Sequence, residues 1–185
     1  MAPTPSNMLP LGTKAPAFQL PDTVSGKMVS LAKEKSDKAN VVMFICNHCA
    51  FVKHVNEQLV QLTNDYQPKG VTFIAISSND VDQYPDDAPD KMKEVAERLG
   101  YPFPYLYDET QAVAKAYQAA CTPDFYIFDG DSKLAYRGQL DDSRPGNDIP
   151  VTGQDIHRAL DMLLAGQLPD SNQKPSIGCN IKWKE

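Results

Sequence analysis

Val41-Val42-Met43-Phe44-Ile45-Cys46-Asn47-His48-Cys49 is the stretch around which the rest of the chain is organised. Its apolar run, residues 41–45, does not alternate with polar residues, which is typical of a central strand covered on both faces. The next segment, residues 49–66, carries apolar side chains at helical spacing and is closed by Gly70. The pattern predicts a strand that delivers two cysteines to the start of a helix.

Two cysteines at a helix start favour redox chemistry. Backbone N–H groups and the helix dipole stabilise negative charge there, so we expect the pKa of the Cys46 thiol to be lowered. Cys49 falls on the same face one turn later, which can put the two sulfurs within disulfide range. A protonated His48 would add a cation beside the Cys46 thiolate and make the pair a better oxidant. The simpler alternative is that His48 is exposed and has no role.

A metal site is an alternative that the residues leave open. The remaining two cysteines are single and far apart in sequence, so the second close pair of a zinc site is missing. Thiolates and imidazoles nevertheless suit copper or zinc, and the ligands would be Cys46, Cys49 and either His48 or His54. A chance cysteine pair without function is the third alternative.

Composition excludes several classes of function. The 185 residues and the 42% hydrophobic content predict a single domain over residues 1–185. The net charge of −6 argues against nucleic acid or an anionic membrane as a partner. Residues 1–10 hold three prolines and no apolar core, so neither a signal peptide nor an anchor is expected. We expect a cytoplasmic protein, in which cysteines are more often catalytic or metal-binding than structural.

The remaining patterns predict an α/β fold. Residues 41–45, the helix and a strand at 71–77 form a parallel crossover, and strands at 124–129 and 133–138 form a β-hairpin. Further strands are predicted at 15–22, 27–31 and 103–107, and further helices at 110–120, at 152–165 and in a segment that ends at Leu99. The acidic residues 79–90 are predicted to be a solvated connection without a ligand.

The two ends of the chain are predicted to differ. Residues 1–14 are expected to be a flexible start. Residues 167–185 are expected to be a tail that docks on the domain. The reason is that Ile181 and Trp183 can bury apolar surface only if the tail folds back onto the domain. Full burial of one large apolar side chain stabilises a fold by about 1.5–3 kcal/mol.

The chain resembles a known fold and, within it, a known family. A strand ending in Cys-x-x-Cys at a helix start, with Thr122-Pro123 ahead of a later strand and hairpin, resembles the thioredoxin fold. Within that fold, the redoxin branch is the alkyl hydroperoxide reductase/thiol-specific antioxidant (AhpC/TSA) group, which includes peroxiredoxins. The chain resembles this branch at residues 15–22, 70–77 and 103–108. Similarity to peroxiredoxin-like thioredoxin-family proteins is carried by residues 46–49, 121–125, 141–145 and 178–183. This implies a thioredoxin-like fold in which helices flank a central mixed sheet, with an N-terminal β-hairpin and a C-terminal tail.

The resemblance also implies roles for individual residues. Cys46 would be the attacking thiol and Cys49 the resolving thiol of a thiol–disulfide oxidoreductase. Pro123 would be a cis-proline whose loop, with Thr122, faces the pair and binds the substrate strand. The implied partners are a protein disulfide substrate and a thiol electron donor. No cofactor is implied, and neither nucleic acid nor a membrane is an implied partner.

The sequence departs from the peroxiredoxin pattern at two places. Ordinary peroxiredoxins have a Thr or Ser hydroxyl three residues before the reactive cysteine, where this chain has Met43. Their arginine at the start of the following strand is replaced by Thr122-Pro123. A peroxidase in which Cys46 becomes a sulfenic acid and condenses with Cys49 is therefore the second enzymatic hypothesis.

The sequence also departs from thioredoxin itself. Thioredoxin usually has Trp immediately before its first cysteine and a buried Asp six residues before it. This chain has Ile45 and Asn40 at those positions. Without that carboxylate, His48 or water would have to handle the proton of Cys49.

Two further cysteines are not required by a two-cysteine mechanism. Cys121 lies two residues before Pro123, so the fold would place it on the rim of the dithiol site. A docked tail could bring Cys179 near that rim, and the two would then be additional redox thiols that pass the disulfide onward. The alternative is that both simply fill apolar space.

Overall fold

A five-stranded mixed sheet forms the centre of the structure, a computed structural model that describes residues 3–185. The strands are β1 (Thr4–Pro5), β2 (Gln19–Pro21), β3 (Met28–Ser30), β4 (Ala39–Phe44), β5 (Val71–Ser77), β6 (Tyr105–Tyr107), β7 (Cys121–Thr122), β8 (Asp124–Asp129), β9 (Leu134–Gly138) and β10 (Ile177–Asn180). The helices are α1 (Leu31–Glu34), α2 (Ala50–Tyr66), α3 (Pro89–Leu99), α4 (Ala112–Ala116) and α5 (Gln154–Leu164). Short 3-10 turns lie at Gln67–Lys69 and Pro85–Asp87.

The central sheet has the order β6-β5-β4-β8-β9. Strand β4 pairs in parallel with β5 and antiparallel with β8, while β9 returns antiparallel to β8. The predicted α/β fold with a central mixed sheet is confirmed. The parallel crossover, the β8–β9 hairpin and the antiparallel N-terminal hairpin β2–β3 are confirmed as well.

Strand β4 is buried because both of its faces are covered by apolar layers. Its side chains alternate, so that Val41 and Met43 join one apolar cluster and Val42 and Phe44 join another. The first cluster includes residues of α2, α3 and α5, whereas the second includes Ala114 of α4. This burial on both faces is why the run lacks alternation in the sequence. It also places the residues that follow Phe44 at the carboxyl end of a rigid strand.

Helices α2, α3 and α5 begin and end close to their predicted limits, whereas α1 was not predicted and α4 is shorter than predicted. Helix α3 ends at Leu99, as predicted, and Gly100 follows with φ +66°. Helix α4 covers only Ala112–Ala116 of the predicted 110–120, since Gln111 and Gln118 take φ values of 65° and 51°, outside the right-handed helical region. Within residues 3–185 no helix is both long and apolar enough to cross a membrane.

The C-terminal segment adds a strand to a second, three-stranded sheet. Strand β10 lies between β1 and β7 and is antiparallel to both. Ile181 is buried in the second apolar cluster, but Trp183 is 40% exposed, so the expected burial of Trp183 is wrong. Its ring lies 5.9 Å from the Lys115 ammonium group instead. Part of the predicted flexible start, residues 1 and 2, lies outside the described residues.

Candidate active site

The two cysteines of the Cys-x-x-Cys motif lie in a turn between the central strand and its helix. Strand β4 ends at Phe44, and helix α2 begins at Ala50, with Cys49 as its N-cap residue. The helix therefore begins after both cysteines, and the expectation that Cys46 occupies the helix start is wrong. The partial positive charge of the helix N-terminus acts on Cys49 first.

The structure brings Cys46, Cys49, Thr122 and Pro123 together, as the resemblance implies. The sulfur of Cys46 lies 3.5 Å from the Thr122 hydroxyl oxygen, and the sulfur of Cys49 lies 3.3 Å from the Thr122 carbonyl oxygen. The two thiols also hydrogen-bond to each other. The Thr122–Pro123 peptide bond is cis, in agreement with the prediction. Cys46 and Cys49 are only 2% and 1% exposed, so the dithiol is covered.

The pKa values of the two thiols are shifted in opposite directions. The hydrogen bond from Cys46 is the largest influence and lowers the pKa of Cys49 to about 4, against the opposing effect of burial. That same hydrogen bond, then burial, then the charge of Asp87 raise the pKa of Cys46. The predicted lowering of the Cys46 pKa is therefore wrong for the reduced pair. The helix N-terminus also favours the thiolate form of Cys49.

Thr122 has one hydrogen-bonding group for each sulfur when the proton lies on Cys49. When the proton lies on Cys49, that thiol can donate to the Thr122 carbonyl oxygen, and the Thr122 hydroxyl can donate to the Cys46 thiolate. The hydroxyl contact accordingly lowers the pKa of Cys46, as the smallest of the influences on it. Movement of the proton from Cys46 to Cys49 thus meets preformed partners.

Asp87 holds the cysteine turn in place. Its side chain is fully buried, and one of its oxygens accepts from the backbone N–H of Asn47 at 2.8 Å and of His48 at 3.3 Å. The other oxygen accepts from Asn79 Nδ2 at 2.9 Å and contacts His48 Nδ1 at 2.5 Å. Although burial raises the pKa of Asp87, the hydrogen bonds from His48, Asn79 and Asn47 hold that pKa below its ordinary value. The prediction that residues 79–90 form a solvated connection is wrong at this position.

His48 lies in a defined environment rather than free in solvent. Its side chain is 26% exposed, and its ring stacks on Tyr84 with centroids 5.5 Å apart. The hydrogen bond to Asp87 raises the pKa of His48, while burial opposes the shift. A ring nitrogen of His48, the sulfur of Cys46 and an oxygen of Asp87 lie within 4.8 Å of one another. His54, the other predicted metal ligand, contacts the Ser143 hydroxyl at 2.7 Å and is not in this group.

The two remaining cysteines lie on opposite faces of strand β7 and its partner β10. Cys179 is paired with Thr122, whereas Cys121 is paired with Asn180. Cys179 hydrogen-bonds to Cys49. The Cys121 sulfur instead lies 3.6 Å from the Pro123 carbonyl oxygen, and burial raises the pKa of this thiol. The predicted substrate-binding residue Thr122 is thus covered by the chain's own tail.

The His48–Asp87 pair makes a testable contribution to stability. We expect Asp87→Asn to lower the free energy of unfolding by about 1.5–3 kcal/mol, because a buried charged acceptor is lost. Because folding raises the pKa of His48, its protonated form stabilises the fold. This stabilisation is fully present below pH 6.5, the pKa of the unfolded chain, and is lost as the pH rises through the pKa of the folded state. Because folding lowers the pKa of Asp87, its ionised form also stabilises the fold. This stabilisation is fully present above pH 3.8, the pKa of the unfolded chain, and is lost as the pH falls through the pKa of the folded state.

The difference between wild type and Asp87→Asn should therefore be largest between pH 3.8 and 6.5. Urea unfolding over a pH series measures this difference. Asp86→Asn, the same change at the adjacent exposed residue, is the matched control. A difference that does not vary with pH would show that the ion pair does not stabilise the fold.

The family model described as AhpC/TSA family matches residues 11–137. The chain is similar to an uncharacterized conserved protein from Geobacillus kaustophilus, at 66% identity and TM-score 0.98 over 100% of this chain and 97% of that chain. It is similar to a hypothetical protein from Sinorhizobium meliloti 1021, at 46% identity and TM-score 0.95 over 98% of each chain.

A more distant similarity concerns the fold. The thioredoxin domain of a thiol-disulfide oxidoreductase from Bacteroides vulgatus aligns at 21% identity and TM-score 0.60, over 70% of this chain and 89% of that chain. This likeness shows the thioredoxin fold. No curated protein matches the chain.

Proposed function

The chain belongs to the AhpC/TSA family, which supports a redox function, and on that basis we propose that it is a thiol–disulfide oxidoreductase. Its reactive pair is Cys46 and Cys49, which cycle between dithiol and disulfide. The observation that carries the proposal is the pair of adjacent thiols whose sulfurs both contact Thr122. This arrangement supplies a nucleophile and its proton acceptor in one place.

The reaction begins with a proton shift inside the pair. The Cys49 thiolate accepts the proton of Cys46, and the Thr122 hydroxyl supports the Cys46 thiolate that results. Cys46 attacks one sulfur of a substrate disulfide, which forms a mixed disulfide and releases the other sulfur as a thiolate. That thiolate takes up the proton that Cys49 then loses. Cys49 attacks Cys46, and the second substrate sulfur leaves as a thiolate that takes a proton from solvent. The products are the Cys46–Cys49 disulfide and two substrate thiols.

His48 and Asp87 act around this pair in different ways. Asp87 positions the turn through backbone N–H groups, and its charge raises the pKa of Cys46. A protonated His48 balances that charge near the Cys46 sulfur and favours the thiolate during attack. The partners proposed for the cycle are a protein disulfide as substrate and a thiol donor, such as a reducing cytoplasm supplies.

Turnover of a disulfide substrate tests the proposal. Reduced protein mixed with a peptide disulfide should convert to the Cys46–Cys49 form with release of two thiols per protein, and Cys46→Ser should abolish this release. Cys121→Ser, a matched change at a cysteine outside the pair, should react at the wild-type rate. The same samples mixed with hydrogen peroxide test the peroxidase hypothesis. Thiol loss faster than that of free cysteine, with no reaction toward the peptide disulfide, would replace the oxidoreductase proposal by a peroxidase.

A metal-binding protein is the second candidate, favoured by one observation. The potential ligand atoms of Cys46, His48 and Asp87 lie within 4.8 Å of one another, and thiolate, imidazole and carboxylate together suit zinc or copper. Under the redox proposal, protein purified without chelators should contain less than one metal ion per chain. A stoichiometric metal that is lost in Cys46→Ser but retained in His54→Ala would replace the redox proposal.

A further inference from the structure

The register of the tail strand places a third thiol beside the dithiol. In the antiparallel pair β7–β10, Cys179 lies opposite Thr122, so these two side chains share a face of the ribbon. The Thr122 side-chain hydroxyl contacts the sulfur of Cys46, and the Thr122 backbone carbonyl oxygen contacts the sulfur of Cys49. Cys179 accordingly packs against the apolar cluster that contains the dithiol.

Cys49 interacts with both of the other sulfurs. Hydrogen bonds from Cys46 and from Cys179 both lower the pKa of Cys49, and Cys179 packs against the cluster that contains the pair. One sulfur that contacts two thiols can form a disulfide with either of them, provided that the backbone geometry is maintained. The arrangement therefore permits a disulfide to pass from one side of Cys49 to the other.

Exposure distinguishes the three sulfurs. Cys46 and Cys49 are buried, whereas Cys179 is partly exposed. Exchange requires direct contact between the sulfurs, so exposure affects which sulfur reacts first with a thiol outside the protein. Of the three, Cys179 is the sulfur that an external thiol can approach with the least displacement of its surroundings.

The tail is held tightly against the cis-proline loop. A Cβ atom at Gly178 would lie 1.9 Å from the Thr122 carbonyl oxygen, so the approach of the two strands requires glycine at this position. The Ser176 hydroxyl donates to the Pro123 carbonyl oxygen at 2.6 Å. These contacts flank Cys179 and fix its position next to Cys49.

We propose that Cys179 is a third redox thiol, which carries the disulfide between the buried Cys46–Cys49 pair and thiols outside the protein. This role rests on the proposed oxidoreductase function and adds the route by which the oxidised pair is reduced again. Cys121 takes no part, because it lies opposite Asn180 on the other face of the ribbon and is fully buried.

Each step is a balanced thiol–disulfide exchange. The Cys179 thiolate attacks Cys49. The Cys49–Cys179 bond forms and the Cys46–Cys49 bond breaks. Cys46 leaves as a thiolate and takes up the proton lost by Cys179. A thiol donor then attacks Cys179 as its thiolate, and Cys49 leaves as a thiolate. A second donor thiol attacks the first donor sulfur and releases Cys179, so the donor pair becomes a disulfide and the protein regains three thiols.

Disulfide mapping of a matched pair of variants tests the new bond. Cys46→Ser, oxidised with diamide and digested under non-reducing conditions, should yield a Cys49–Cys179 disulfide. The double variant Cys46→Ser/Cys121→Ser should yield the same bond, and Cys46→Ser/Cys179→Ser should yield no Cys49 disulfide. Absence of the Cys49–Cys179 bond in the first two variants would overturn the proposal.

Reduction kinetics test the route itself. Oxidised wild type, Cys179→Ser, Cys179→Ala and Cys121→Ser are each reduced with glutathione, and the appearance of free Cys46 is followed. We expect both Cys179 variants to be reduced at least about tenfold more slowly than wild type, and Cys121→Ser at the wild-type rate. Gly178→Ala, which keeps every thiol but displaces β10, should resemble the Cys179 variants. Wild-type rates of reduction in both Cys179 variants would overturn the role of Cys179 but leave the Cys46–Cys49 cycle in place. Failure of the wild-type protein to form the Cys46–Cys49 disulfide would instead overturn the proposed function itself.

Discussion

Replacement of Cys49 by serine is expected to lower disulfide turnover at least about a hundredfold. Under the proposed function Cys49 has two tasks, to accept the proton of Cys46 and to resolve the mixed disulfide, and it also hydrogen-bonds to Cys179. Without the Cys49 thiolate, Cys46 has to ionise unaided. A thiol with a pKa of 9.0 or above is ionised to about 1% or less at pH 7, which accounts for the hundredfold loss.

The trapped product distinguishes this explanation from a general loss of structure. Cys49→Ser should retain a mixed disulfide between Cys46 and the peptide substrate, visible by mass spectrometry, and should show no internal disulfide. Cys121→Ser carries the same chemical change at another buried cysteine and should turn over normally. Rapid turnover by Cys49→Ser would mean that Cys46 works with a different resolving thiol, and the assignment of Cys49 would be wrong.

Asp124→Ala is expected to lower the free energy of unfolding by about 3–5 kcal/mol, the largest effect on stability that the structure predicts. Asp124 of β8 and Arg137 of β9 form an ion pair at 2.9 Å, and both side chains are completely buried. Removal of the carboxylate leaves the Arg137 charge buried without its partner. Among residues 3–185, Arg137 Nε and Nη1 have no hydrogen-bond partner, although the guanidinium group lies 4.2 Å from the centre of the Tyr126 ring.

Urea unfolding of single and double variants measures this effect. Burial raises the pKa of Asp124 to about 6, although the charge of Arg137 lowers it. Unfolding should therefore be measured at about pH 8, where the carboxylate is charged. Asp142→Ala removes one partner of the exposed Lys174–Asp142 pair at 3.2 Å and should cost at most about 1 kcal/mol. The double variant Asp124→Leu/Arg137→Met should lose less than the sum of its single variants, because no charge is left unpaired. A cost for Asp124→Ala equal to that of Asp142→Ala would show that the buried pair does not contribute.

Most of the fold was predictable from the sequence because its signals are local. The uninterrupted apolar run of β4, the helical spacing of α2 and the β-branched residues of β5 each report how many faces of an element are covered. The motif at residues 46–49 and Thr122-Pro123 indicated two parts of the site, and the resemblance placed them together. The AhpC/TSA match and the thioredoxin fold confirm that resemblance.

The tertiary structure alone selected Asp87 as a residue of the site. Asp86, Asp87 and Asp90 are equivalent in sequence, since each is an acidic residue in a polar, proline-containing loop. Only the packing of that loop against the cysteine turn buries Asp87 and leaves Asp86 exposed. A contact between residues 39 or 40 positions apart leaves no local pattern in the chain.

Three further points depended on single-residue details that a sequence pattern does not resolve. The start of α2 at Ala50 places the helix charge on Cys49 rather than on Cys46. Strand register places Cys179 beside the dithiol and Cys121 on the opposite face, because successive side chains of a strand alternate. The sequence by itself therefore determined the fold class and a candidate dithiol. The tertiary structure decided which sulfur lies at the helix N-terminus and which third thiol lies beside the pair, because both depend on register and on contacts between distant segments.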